Sequence, residues 1–119
     1  MSTGWNLAVN SASTDVLSSL STEYVTVPMS VTKDGVPYNP TSDPVQFAFV
    51  TGTSTPPQTG SWVAGEWDTL PGPIYPYQAK CLIGPAGTIT LAPGTYIRWV
   101  KVTDNPEVPV LQAGQVIIF

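Results

Sequence analysis

Apolar and polar residues alternate at every second position over long stretches of this chain, which is the period of an extended β-strand. The clearest stretch begins at Thr95, directly after the turn signal Pro93-Gly94. One side of this stretch carries Tyr96, Arg98, Val100 and Val102. The other side carries Ile97, Trp99, Lys101 and Thr103. We predict a strand here, ended by Asp104-Asn105-Pro106, with Trp99 as the large core residue on which two sheets close.

Shorter alternating stretches follow one another from Glu23 to Phe119, separated by turns rich in glycine, proline, asparagine and aspartate. Besides the strand after Thr95, the predicted strands or extended segments cover 23–32, 36–40, 45–49, 75–83, 88–91, 108–111 and 115–119. Turn signals at this spacing predict an all-β domain, a β-sandwich of about seven strands. A closed barrel is the alternative, but prolines near the strand margins favour a sandwich with protected edges.

Two local signals mark the first of these strands. Pro28 has no backbone N–H to give to a neighbouring strand, so the strand lies at a sheet edge there or carries a bulge. Lys33-Asp34-Gly35 then predicts a tight turn in which glycine supplies a positive φ angle. The strand is therefore expected to end at this turn.

Residues 1–22 differ from the rest of the chain, being rich in serine, threonine and asparagine with scattered apolar residues. Trp5, Leu7 and Val9 alternate as a strand would, and residues 15–20 favour a short helical turn. We expect residues 1–22 to form an extended N-terminal arm that is poorly tied to the sandwich of residues 23–119. The arm is either a frayed terminus or a segment that becomes ordered against a neighbouring subunit, with Trp5 as its anchor.

Charged residues are scarce, and this limits the classes of partner. Of the 119 residues 42% are hydrophobic and only 10% are charged, against about a quarter charged in an average soluble domain. Either partner chains cover part of the surface, or the chain is an ordinary threonine-rich β-protein. The net charge is −4 and the four basic residues form no cluster, so no nucleic-acid partner is expected.

Neither a membrane span nor a secretory signal is expected from the sequence. No apolar run approaches the roughly 20 residues that cross a bilayer, and the N-terminal residues lack a basic region followed by an apolar one. Cys81 is the single cysteine, so no intramolecular disulfide can form. It lies in an alternating apolar run, which predicts a buried, inert thiol in a protein made in a reducing cytoplasm.

Catalytic chemistry has little support in the sequence. The chain contains no histidine, which removes the commonest general base and metal ligand, and one cysteine cannot build a zinc site. Glu66 and Asp68 flank Trp67, but two acids on one face of a short strand are more often solvated than catalytic. Asp104 and Glu107 are too few ligands for calcium, and Asp104 is expected to close an Asx-type turn. We therefore predict a protein that is not an enzyme and has no cofactor or metal site.

Aromatic residues concentrate around proline-rich loops between residues 62 and 77. Aromatic side chains in loops carry binding energy at protein interfaces and can stack on sugars. They can equally cap the open end of a sandwich. The predicted partner-binding residues are the loop aromatics and the apolar residues of the arm: Trp62, Trp67, Tyr75, Tyr77, Trp5, Leu7 and Val9.

Three segments are distinctive as a set: TEYVTVPMSVTKDGVPYNPTSDPVQFAF, CLIGPAG and LAPGTYIRWVKVTDNPEVPV, of which WVKVTDNPE at 99–107 is the most distinctive piece. Together they resemble a group of small β-rich proteins encoded among the virion structural genes of tailed phages and prophages of actinobacteria. The resemblance covers about residues 23–119 and leaves the arm out. It implies a virion setting, in which immunoglobulin-like sandwiches serve as decoration, adaptor and fibre-attachment modules, and it assigns no functional site.

The resulting expectation is an immunoglobulin-like β-sandwich with an N-terminal arm that acts as a non-enzymatic structural protein of a phage virion. Its partners would be capsid or connector subunits, in a homo-oligomer or a symmetric multi-copy assembly. A capsid decoration or cement protein is favoured over a head–tail or tail accessory protein. A different alternative is a carbohydrate- or host-surface-binding module that uses the four loop aromatics.

Overall fold

The alternating stretches form two five-stranded β-sheets that pack together as a sandwich. The computed structural model of the chain describes residues 5–9, 13–51, 57, 59–72 and 74–119, without the side chains of Trp5 and Thr59. The described residues form one three-residue 3-10 helix, Thr59–Ser61, and ten strands. The strands are β1 (Trp5–Val9), β2 (Thr14–Leu17), β3 (Glu23–Lys33), β4 (Val36–Pro37), β5 (Val45–Thr51), β6 (Val63–Ala64), β7 (Glu66–Thr69), β8 (Tyr77–Ile83), β9 (Gly94–Val102) and β10 (Val110–Ile118).

Each sheet takes strands from both halves of the chain. Sheet A has the order β1–β3–β8–β7, with β4 beside the end of β3, and sheet B has the order β2–β10–β9–β5–β6. The pairs in sheet A are antiparallel, whereas sheet B includes the parallel pair of β2 and β10. Only Gly65 separates β6 in sheet B from β7 in sheet A. The chain therefore passes repeatedly between the sheets instead of completing one before the other.

The core lies between the inward faces of the two sheets. Val27 and Met29 from sheet A and Phe47, Val100 and Val116 from sheet B are at most 3% exposed. Full burial of a large apolar side chain contributes roughly 1.5–3 kcal/mol. This continuous apolar layer is therefore the main stabilising feature of the sandwich.

Several predictions about architecture are confirmed. The chain is all-β with two layers, and the turn after β3 contains Asp34 and Gly35 at φ angles of 54° and 79°. β1 pairs with β3 only from Met29 onward, so Pro28 lies where β3 has a described neighbour on one side only. Pro28 lies beyond the last described residue of β1, so the prediction of an edge or a bulge at Pro28 stays a prediction.

The N-terminal segment is not an arm apart from the sandwich. β1 pairs antiparallel with β3, with Val9 opposite Met29, and β2 pairs with β10 in the other sheet. Leu17 is 8% exposed and belongs to the core. The alternation from Trp5 to Val9 correctly indicated a strand. What the sequence did not indicate is that β3 and β10 leave edges on which this segment pairs.

Trp99 does not lie on the face where the sheets close. The two sides of β9 alternate as predicted, but the side facing the core carries Tyr96, Val100 and, between them, Arg98. Trp99 lies on the outer face of sheet B, opposite Ala48 on β5. A charged residue takes the inward position because the partly exposed Asp15 carboxylate on the edge strand β2 pairs with it, as described below.

Three further local predictions are wrong. The helical turn expected at 15–20 is replaced by β2 and the turn that follows it. The strand expected at 88–91 is reduced to a single bridge between Ile83 and Ile89. The strands expected at 108–111 and 115–119 are one strand, β10, whose register shifts between Gln112 and Gln115.

Candidate partner-binding surfaces

The four loop aromatics do not form one surface. Trp62 lies beside the outer face of sheet B, where Lys101 Nζ is 4.5 Å from the centroid of its ring, a cation–π geometry. Trp67 and Tyr77 are half-buried and pack against the core, and Trp67 Nε1 donates a hydrogen bond to the Asp43 backbone oxygen at 2.8 Å. A sugar-binding platform of all four would need them side by side, so the glycan alternative gains no geometric support.

The remaining predicted binding residues are also tied to the sandwich. Leu7 and Val9 are half-buried and pack against the core from β1. The backbone of Trp5 pairs with Lys33, and its side chain lies outside the described part of the structure. Tyr75 lines a cavity at the side of the sandwich. Leu7 and Val9 thus stabilise the fold itself.

The outer face of sheet A carries charged side chains that bind one another. Lys80 Nζ lies 3.0 Å from Asp68 Oδ2 and 4.5 Å from the centroid of the Tyr24 ring, and the Tyr24 hydroxyl lies 3.5 Å from Glu66 Oε2. The hydrogen bond to Asp68 raises the pKa of Lys80 above its usual range. Glu66 and Asp68 are therefore part of a cross-strand cluster, in which one ammonium group lies among two carboxylates.

The outer face of sheet B carries few charged side chains. The register places Val110 beside Lys101, and Val16 beside Ile117 on the neighbouring strand. Val16 and Val110 are 59% and 44% exposed. Among the described strand positions on this face, Lys101 is the single charged residue. This face therefore combines apolar residues with the uncharged polar residues Gln46, Gln112 and Gln115, and carries one cation next to Trp62.

Trp99 adds an unsatisfied donor to the outer face of sheet B. Its side chain is 8% exposed, and Nε1 is buried without a hydrogen-bond partner in the described part of the chain. A buried donor left without a partner costs about 1–3 kcal/mol. Trp99 lies between Ala48 and Gln112 on the neighbouring strands.

The buried residue that the sequence did not indicate as functional is Arg98. It is 0% exposed; Nε donates to the Ala113 backbone oxygen at 2.7 Å, and Nη1 donates to Asp15 Oδ2 at 2.5 Å. Nη2 makes a longer contact of 3.5 Å with Ser13 Oγ. The available signal was the position of Arg98 in the alternation, on the same side of β9 as Val100. The sequence pattern could not reveal Asp15 as its partner, because 83 residues separate the two.

Asp104 does not close an Asx-type turn with its carboxylate. The Asp104 backbone N–H donates to the Glu107 oxygen, and the Glu107 N–H donates to the Asp104 oxygen, both at 2.9 Å. Asp104 Oδ2 instead accepts a hydrogen bond from Lys33 Nζ at 2.8 Å. This hydrogen bond raises the pKa of Lys33. The carboxylate therefore links this turn to β3. Within the described ranges no group of three or more histidine, cysteine, aspartate or glutamate residues could hold a metal ion.

Cys81 is buried, as predicted. Its side chain is 1% exposed on β8, and burial, followed by the nearby Glu66 carboxylate, raises the pKa of the thiol to about 11. A thiol with this pKa is protonated at neutral pH and is a poor nucleophile. The described residues include no helix that is long and apolar enough to cross a bilayer.

Comparison with known proteins adds no family to this picture. No protein-family model, curated protein or solved structure is significantly similar to the chain.

Proposed function

We propose that this chain is a non-enzymatic structural protein of a phage virion, present in several copies, which binds shell subunits as a capsid decoration or cement protein. The observation that carries the proposal is the difference between the two outer faces of the sandwich. The outer face of sheet A carries a cluster of Glu66, Asp68 and Lys80. Sheet B instead exposes Val16 and Val110 on a face with one charged residue among its described strand positions. Exposed apolar side chains on a face with few charges are typical of protein–protein contacts.

The proposal extends to the fold, which we assign to the immunoglobulin-like class. An immunoglobulin sandwich has sheets ordered A–B–E–D and G–F–C, to which variable-type domains add a strand beside C. The orders β1–β3–β8–β7 and β10–β9–β5–β6 support the same arrangement. The Tyr96 hydroxyl also donates to the Ala92 backbone oxygen at 2.7 Å, as in the tyrosine corner at the start of strand F. Two residues later, where antibody domains have a disulfide cysteine, this chain has Arg98.

The first test is whether the chain is part of the particle. Antibodies against the purified chain should label virions of the phage that encodes it, at the capsid in immunogold images. Labelling at the tail would favour the alternative of a head–tail or tail accessory protein. Virions that contain none of the chain would contradict the proposal.

The second test concerns the surface. Val110→Asp and Ile117→Asp place a carboxylate on the outer face of sheet B, and Thr32→Asp places one on the outer face of sheet A as a matched control. We expect the first two variants to bind particles that lack the protein at least about tenfold more weakly, which corresponds to about 1.4 kcal/mol, and the control to bind as the wild type does. Equal binding by all three would show that sheet B is not the docking face.

A further inference from the structure

Lys101 differs from the other basic residues of the chain in its ion pairing. The other three each form an ion pair: Lys33 with Asp104, Lys80 with Asp68, and Arg98 with Asp15. Lys101 forms no such pair with any described residue. The residues outside the described ranges include no aspartate or glutamate, so they cannot supply a side-chain carboxylate either. The charge of Lys101 is therefore left for solvent or for a partner.

The indole ring of Trp62 holds this ammonium group in place, with Nζ 4.5 Å from the ring centroid. A lysine side chain carries about 2 kcal/mol of rotamer entropy, and a contact that restrains it in the free protein reduces the entropy lost on binding. Trp62 is itself partly exposed, and tryptophan is among the residues that contribute most to binding at interfaces. Lys101 and Trp62 are therefore arranged in advance for contact with a partner.

The side chains beside Lys101 on the neighbouring strands are uncharged. Val110 on β10 and Gln46 on β5 lie directly opposite it in the register, and Val110 is 44% exposed. Docking through this face would take the ammonium group out of water, and burial of a charge without a partner costs several kcal/mol. A carboxylate on the partner offsets this cost, and an aliphatic side chain next to that carboxylate matches Val110.

A second copy of this chain is a poorer match to the same face. A contact between two identical faces would bring two Lys101 side chains into one interface, where like charges oppose binding. The described strand positions of this face carry no carboxylate that could offset them. The charge pattern therefore favours a different protein as the partner.

We propose that the outer face of sheet B binds a shell subunit that presents a carboxylate to Lys101, next to an aliphatic side chain that contacts Val110. The inference rests on the proposed function and deepens it, because it names the chemistry of the partner surface. The ion pair fixes the orientation of the two proteins and disfavours partners without the carboxylate. The contacts of Trp62 and Val110 with the partner supply apolar burial around it.

The first test is carbodiimide cross-linking of the full chain bound to particles that lack the protein. The reagent activates a carboxylate, and an amine in contact with that carboxylate then displaces the activating group to form an amide. Mass spectrometry should identify Lys101 linked to an aspartate or glutamate of a shell subunit. Lys80 is the internal control and should link to Asp68 of its own chain. Links from Lys101 only to another copy of the chain, or no link from Lys101, would overturn the proposal.

The second test measures the affinity of variants for the same particles. Lys101→Gln removes the charge, Lys101→Arg keeps it, and Lys80→Gln removes one positive charge from the outer face of sheet A as a matched control. We expect Lys101→Gln to bind at least about tenfold more weakly, a difference of about 1.4 kcal/mol, and the other two variants to bind as the wild type does. The affinity of Lys101→Gln should also depend less on salt concentration.

The outcomes separate this inference from the proposed function. Wild-type affinity of Lys101→Gln, together with weaker binding of Val110→Asp, would leave sheet B as the docking face and overturn only the carboxylate partner. Equal losses in Lys101→Gln and Lys80→Gln would overturn it as well, because they would show an effect of net charge alone. A wild-type chain that does not bind the particles would contradict the proposed function and this inference with it.

Discussion

At the scale of single residues, Cys81 makes stability depend on pH. Its thiol has a pKa of about 11 in the folded chain, against 9.0 for an unperturbed cysteine. Between these values the unfolded chain releases the proton while the folded chain keeps it. The contribution of this group to stability is therefore complete below about pH 9 and is lost as the pH rises towards about 11. The difference in pKa corresponds to about 3 kcal/mol.

The measurement compares urea unfolding of the wild type and Cys81→Ala at several pH values from about 8 to 11. The loss of the sulfur atom lowers the stability of the variant by the same amount at every pH, and the tyrosines and lysines titrate in both proteins. We expect the wild type to lose stability more steeply, so that the two curves converge at high pH. Parallel curves would contradict the burial of a protonated thiol.

The two central residues of β9 mark the limit of sequence reasoning at this scale. The alternation correctly predicted that Arg98 and Trp99 point to opposite sides. The prediction of which side of β9 faces the core was wrong, because apolar character alone favours Trp99 as the buried core residue. Arg98 is stable inside only through Asp15 and the Ala113 backbone oxygen, and a contact between residues so far apart in sequence leaves no periodic signal.

At the scale of elements, the bulge in β10 is a site where only glycine fits. Gly114 has a φ angle of 92°, and a Cβ atom there would lie 2.2 Å from the Ser13 backbone oxygen and 3.0 Å from Arg98 Nη2. Gly114→Ala should therefore lower the free energy of unfolding by about 3 kcal/mol or more, since strain and steric overlap add. Gly35→Ala is the matched control. Its φ angle is 79°, with nothing within 4 Å of the added atom, so about 1–2 kcal/mol is expected.

Denaturant unfolding of the two glycine variants measures this difference. Equal losses would indicate that the segment before β2 moves away from the bulge without cost.

The strong alternation of β3, β5, β8 and β9 made these strands predictable from the sequence. The bulge and the pairing of β2 were not predictable, because both depend on contacts between the first and last thirds of the chain.

At the scale of the whole molecule, the N-terminal strands belong to the folding unit. Deletion of residues 1–22 removes Leu17 from the core and the Asp15 carboxylate from Arg98. Because the Asp15 side chain is 37% exposed, the loss of its carboxylate costs less than the roughly 3–5 kcal/mol of a fully buried pair. This cost adds to the lost core burial, and the total stability of a typical domain is roughly 5–15 kcal/mol. We expect the truncated chain to lack a cooperative thermal transition, measured by circular dichroism.

The control for this truncation is Leu20→Ser, which alters an 88% exposed side chain in the same segment. It should change stability by no more than about 0.5 kcal/mol. A truncated chain that unfolds cooperatively at the temperature of the full chain would restore the interpretation of residues 1–22 as a separate arm.

The difference between the outer faces of the two sheets also becomes visible only at the scale of the whole molecule, because neighbouring strands of one sheet come from distant parts of the sequence.

The parallel pairing of β2 with β10 also determines how the domain resists pulling. A force applied before β2 and after β10 draws the two strands along each other in opposite directions. Their four paired positions must then break together in shear, and they cannot open one after another as in a hairpin pulled from its open end. A domain held at these two points would withstand tension through the pairing of β2 with β10.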